Sequence, residues 1–167
     1  MLINGDIVSC EPIVVYGRVS GDITSQKSVI IHRGATVGGK IKAQEVRVDG
    51  ILEGAIEAQI VEIGRDGVVD GYMIASNITT AGKSDGDILA KNSLVVEEGA
   101  EVKTVEAISK VVKVSGIIKG DLVVSEYIEV SENGFIDGDI KTREYISVGS
   151  NKVSGSIYRY VGKITKE

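Results

Sequence analysis

Proline is nearly absent from this 167-residue chain: Pro12 stands alone against 21 glycines. That excludes a Gly/Pro-rich disordered tract and leaves glycine as the turn residue. Aromatic residues are scarce as well, with six Tyr, one Phe and no Trp. A core must therefore be filled by Ile, Val and Leu. The single cysteine, Cys10, allows no internal disulfide, which fits a reducing compartment. No His or basic cluster lies near it in sequence to activate it, and it reads as a small buried or edge residue. His32 is the one histidine; with Cys10 it falls short of a zinc ligand set. No apolar run approaches the ~20 residues of a membrane span, and no charged-then-apolar leader precedes the repeat. A net charge of -5 gives no reason to expect a nucleic-acid partner. Without a GxxxxGK[ST] loop no nucleotide is implied either. These absences predict a soluble, cytoplasmic protein.

What the chain has is repetition. VVYGRVSGDIT (residues 14–24), VRVDGILEGAIEA (46–58) and VKVSGIIKGDL (112–122) repeat one phrase, with apolar residues and glycine stepping by two, the spacing of a strand. Aligned on the second glycine, the anchors are Gly5, Gly21, Gly39, Gly54, Gly71, Gly86, Thr104, Gly120, Gly138 and Gly155. Two residues before each lie Ile3, Val19, Val37, Leu52, Val69, Ser84, Val102, Ile118, Ile136 and Val153. Two residues after lie Ile7, Ile23, Ile41, Ile56, Met73, Ile88, Glu106, Leu122, Ile140 and Ile157. A third row runs Val15, Ile31, Val48, Ile63, Thr80, Val96, Val114, Val130 and Val148.

The anchors are 15 to 18 residues apart. That is too short for a repeat of paired helices and suits one turn of a parallel β-solenoid. About ten rungs stacked ~4.8 Å apart make a rod of roughly 45–50 Å. The expectation is a single all-β domain over residues 1–167, with regular rungs from about 3 to 157. Tyr158–Glu167 would form a terminal partial rung or a cap. Corners between the third row and the next rung alternate between four steps (Val15 to Val19) and six (Ile31 to Val37), the longer ones carrying Gly34, Gly67, Gly99 or Gly134. The last, Val148 to Val153, takes five. Ser84 and Glu106 interrupt the apolar rows. The expectation is a local irregularity between Gly82 and Ile108: either a shifted register, or Val105 and Ala107 taking over the core, most simply through a bulge.

A solenoid exposes the cross-section of its core at both ends and needs polar caps to stay monomeric. The first rung begins at once with Leu2 and Ile3, and the last is followed by apolar or amphipathic Tyr158, Tyr160, Val161 and Ile164. The candidate assembly residues are accordingly Leu2, Ile3, Ile7, Val153, Ile157, Tyr158, Tyr160, Val161 and Ile164, and the partner is a second copy joined end to end.

The phrases VYGRVSGDI, VDGILEGAI, VSGIIKGDL and GFIDGDIKT resemble the repeats of the bactofilins, polymer-forming bacterial cytoskeletal proteins. The resemblance implies a right-handed parallel β-helix that forms filaments without nucleotide. It also implies a cytoplasmic, often membrane-associated scaffold that positions cell-wall enzymes and affects cell shape. Many members carry a short apolar membrane-targeting segment, and here only Met1–Ile3 could serve.

Two other readings compete. An acyltransferase-like β-solenoid enzyme could use His32 as a general base, but the 15-to-18 spacing does not match the six-residue repeat of such enzymes, and IIHRGAT reads as a solvated turn. A non-polymerising adaptor would bind a partner through a ladder face. Asp6, Asp22, Asp87, Asp121 and Asp139 follow anchor glycines and could suggest a calcium ladder. Lys40, Ala55, Tyr72, Val105 and Ser156 interrupt that column, and acceptance of turn N–H groups is the simpler role. Neither a cofactor nor a metal is expected. Lys27, Lys40, Lys42, Arg47, Glu53 and Glu57 alternate with the core rows as a solvated face whose mixed charge discourages side-by-side aggregation.

Overall fold

A computed structural model describes residues 2–147 and 152–159. All regular elements in it are strands, and all their pairings are parallel. The chain winds as a β-helix with three faces per turn, consistent with right-handed winding. The first face carries Leu2–Asn4, Arg18–Ser20, Thr36–Gly38 and their successors up to Lys152–Ser154. The second carries Ile7–Ser9, Ile23–Ser25 and onward to Ile157–Arg159. The third starts at Ile13–Val15 and Ser28–Ile31. From Met73 on, second- and third-face segments fuse into long bent strands such as Met73–Thr80, and two of these, Glu101–Val114 and Ile117–Val130, take in the first face as well.

The expected rows are the inward columns. Ile3, Val19, Val37, Leu52, Val69, Ser84, Val102, Ile118, Ile136 and Val153 pair in unbroken register on the first face. Ser84 is therefore no register slip; it is a buried serine within an apolar column. Two columns were not expected. Val29, Val46, Val61, Ile78, Leu94, Val112 and Ile128 pair along the third face and are buried. A column of small residues, among them Ser25, Ala75, Ala90 and Ser109, lines the corner between the second and third faces. Its hydroxyls return to the main chain: Ser25 Oγ donates to Glu11 O at 2.9 Å and Ser109 Oγ to Val111 O at 3.0 Å. One core cluster extends from Val15 to Ile140. Each fully buried aliphatic contributes about 1.5–3 kcal/mol relative to exposure.

The anchor column is glycine for two reasons that act together. At Gly71 the backbone has φ 147°, and a Cβ would stand 1.6 Å from Gly54 O on the turn below. Neither can be met by a residue with a side chain, and Thr104 shows the alternative. No residue other than glycine adopts positive φ among the described residues. At Thr104 the chain instead inserts one residue, with a register shift between Lys103 and Glu106. Ala107, 1% exposed, then takes the inward place facing Ile88 and Leu122. Glu106 and Val105 both point outward, Val105 at 80% exposure. The bulge expectation holds; the inward placing of Glu106 does not, and of the two substitutes offered for the core only Ala107 enters it.

The alternation of corners also has a packing cause. The six-step corners project as turns, closed by Ala35 N–H to His32 O at 2.9 Å and Ala100 N–H to Glu97 O at 3.1 Å. The four-step corners nest beneath them. A Cβ on Gly50 would lie 2.5 Å from both His32 O and Ala35 O. Projecting corners therefore reach each other across the recessed one, through the Arg33–Asp66 ion pair and Asn133 Nδ2 donating to Glu98 at 3.5 Å. At the last turn the pairing places Ser147 opposite Val130, and Val148, expected in the third row, lies outside the described residues.

Candidate assembly surfaces

The two ends and the outward columns are the surfaces on which function can rest. At the first turn Ile3, Ile7 and Ile13 continue the inward columns, paired with Val19, Ile23 and Val29. Those three partners are 0–1% exposed, whereas the first-turn residues are half-buried. The free edges of their strands face away from the rest of the solenoid, since each pairs with the second turn alone among the described residues. At the other end Val153 packs against the core, and Ile157 is 38% exposed above Ile140. The structure thus gathers Ile3 and Ile7 at one cross-section and Val153 and Ile157 at the other. It adds Ile13, which the anchor-based alignment left out because it belongs to the unexpected third-face column. Leu2 and Tyr158 face outward, each beside the cross-section at its own end. Tyr160, Val161 and Ile164 lie outside the described residues.

The other singled-out groups lie at corners and on outward positions. Asp6 Oδ1 accepts the Asp22 N–H at 2.9 Å, Asp22 that of Lys40 at 2.8 Å, Asp121 that of Asp139 at 3.0 Å and Asp139 that of Ser156 at 2.9 Å. These carboxylates cap the backbone of the following turn, the role expected of them. His32 lies exposed in its corner, its Nδ1 3.1 Å from Arg33 O and its ring 4.9 Å from that of Tyr16. Cys10 is exposed at the edge of the first turn. On the second face, Lys40 Nζ meets Glu57 at 2.9 Å. That hydrogen bond and the charges behind it raise the lysine above its usual range and hold the carboxyl below its own. No helix is long and apolar enough to cross a membrane among the described residues.

The model of the bactofilins, polymer-forming cytoskeletal proteins, matches residues 1–81 and again residues 72–158. The chain belongs to the bactofilin family. One curated relative, Bactofilin BacP of Myxococcus xanthus (strain DK1622), is 27% identical over 113 residues, covering 60% of this chain and 47% of the relative. The chain thus spans about half the length of that bactofilin. No solved structure matches it. A bactofilin is a polymer-forming cytoskeletal protein, and the repeats that carry the resemblance are the turns with the glycine anchors described above.

Proposed function

We propose that this bactofilin is one β-helix domain that assembles end to end into nucleotide-independent filaments. In the cytoplasm these act as a scaffold for cell-shape or cell-envelope proteins, with cell-wall enzymes and membrane-associated proteins as the partners. The observation that carries the reading is the change in burial at the first turn: the columns that are sealed at Val19, Ile23 and Val29 remain half-open at Ile3, Ile7 and Ile13. A second solenoid placed on that cross-section would continue both the aliphatic columns and the backbone ladders. The family description supports self-association.

Negative-stain microscopy of the purified chain without nucleotide tests this directly: filaments are expected. Ile3→Arg or Ile157→Arg places a charge in the cross-section. Sealing an unpaired charge there costs several kcal/mol, so short soluble species should replace filaments. Discrete particles from the unaltered chain, or filaments of unchanged length from both variants, would refute the reading.

A further inference from the structure

The outward residues of the first face form two columns, and these columns are complementary to their own reversal. One runs Ile51, Val68, Lys83, Glu101, Ile117, Phe135; beside it run Glu53, Asp70, Asp85, Lys103, Lys119, Asp137. Consider a second copy laid face to face, related by a two-fold axis parallel to the strands and passing between the Lys83 and Glu101 turns. Each column then meets itself running backwards. Lys83 faces Glu101, Asp85 faces Lys103 and Asp70 faces Lys119. Outside these, Val68 faces Ile117 and Ile51 faces Phe135. We propose that the first face is an isologous pairing surface on which a second copy of this chain docks in antiparallel orientation.

Three observations favour this occupant. Ile51, Val68 and Ile117 are 42%, 36% and 39% exposed and sit in two separate apolar pairs that a reversed copy brings into register. Lys83, Asp70 and Asp85 have no ion-pair partner among the described residues, while Glu101 has only the distant ammoniums of Lys103 at 3.9 Å and Lys119 at 3.7 Å. A shallow depression lies at the axis between Val68 and Lys103, lined by both charge signs.

The arrangement also excludes its neighbours. Shifting the axis by one turn sets Asp70 against Asp85 or Lys103 against Lys119. A parallel pair, with the axis along the solenoid, sets Val68 against Asp70 and Ile117 against Lys119, which desolvates charge against apolar surface. The one mismatch in the favoured pair, Glu53 against Asp137, lies on exposed side chains near its margin. Mixed charge on this face thus selects a single lateral partner instead of merely keeping chains apart. Six facing strands about 10 Å wide and ~4.8 Å apart bury on the order of 600 Å² in total, the size of a weak contact. Repetition along a polymer would strengthen it by multivalency, although the pairing itself does not depend on end-to-end assembly.

The test uses thiol cross-linking in a Cys10→Ser background. A short bifunctional reagent should join Val68→Cys chains to Ile117→Cys chains in a mixture. It should not join Val68→Cys chains to one another, because two copies of that position stand three turns, roughly 14 Å, apart along the axis. Asp70→Lys in both chains sets lysine against Lys119, and the adduct should fall at least tenfold. Asp70 and Lys119 are not neighbours within a chain, so folding cannot account for a rescue. Asp70→Lys in one chain and Lys119→Asp in the other should restore the yield. No adduct in the mixture, equal adduct in Val68→Cys alone, or a yield indifferent to Asp70→Lys would overturn the proposal.

Discussion

Three alanine substitutions separate the two reasons for the glycine anchors. Gly38→Ala falls where the backbone is ordinary and no atom lies within 4 Å of the new Cβ. It should be neutral or stabilising by ~0.4–1 kcal/mol, because it restricts the unfolded chain. Gly99→Ala also enters open space, but at φ 86°; the left-handed backbone alone should cost about 1–2 kcal/mol. Gly71→Ala adds a collision. Its Cβ would stand 1.6 Å from Gly54 O, so the two turns must separate locally. The hydrogen bonds on either side of that contact, Gly54 N–H to Asp70 O at 2.8 Å and Ile56 N–H to Tyr72 O at 3.0 Å, then stretch or break. At about 0.5–1.5 kcal/mol each, and with a strained backbone of ~1–3 kcal/mol, the total is roughly 2–6 kcal/mol. Urea unfolding followed by circular dichroism would read the series, with Ile3→Arg in every chain so that assembly does not add to apparent stability. If Gly71→Ala cost no more than Gly99→Ala, close approach between turns would not be what selects glycine at the anchors.

Two further changes probe individual groups. Thr80 is fully buried in the third-face column between Ile63 and Val96, and its Oγ1 has no hydrogen-bond partner. Thr80→Val keeps the shape and removes the unsatisfied hydroxyl, so unfolding should become harder by ~1 kcal/mol; a less stable protein would mean that the hydroxyl is bonded in solution. Glu57 is held below the ordinary carboxylate range by its hydrogen bond to Lys40 and by the lysine's charge. A lowered folded value means that its contribution is present above the unfolded carboxylate range and disappears as pH falls through the folded one. An NMR titration should place Glu57 higher in Lys40→Met than in the parent, and identical curves would show that the pair does not persist.

Much of the fold was legible because a strand's period of two and a recurring glycine reinforce each other turn after turn. Where a side chain announces burial by its chemistry, as Leu52 and Ile63 do, its place followed. The corner column was missed because Ser25, Ala75 and Ser109 are small, and small residues do not declare which way they face. Val29 and Val46 were passed over because the alignment counted one inward residue per third-face strand and those strands carry two. At Thr104 the irregularity was visible, but its direction was not. That Ala107 and not Glu106 turns inward follows from a one-residue insertion that spacing alone does not locate. The end residues were half legible: Ile3 and Ile7 sit at the cross-section, while Leu2 and Tyr158 face outward because their parity along the strand is odd. The reversed complementarity of the first face needed the register of six consecutive turns, which that insertion obscures in the sequence.

The nesting of recessed corners under projecting ones has a consequence for how such a rod can change length. Projecting corners touch at separations of 33 and 35 residues, two turns apart. Loss of a single winding from the middle would stack like upon like: two protruding loops would compete for one space, or two recessed corners would leave a gap between them. Deletion or tandem copying of a matched couple leaves every junction as it was. The smallest heritable module of this rod is therefore the couple, and lengths that differ by an odd number of windings should appear only where the change falls at an extremity.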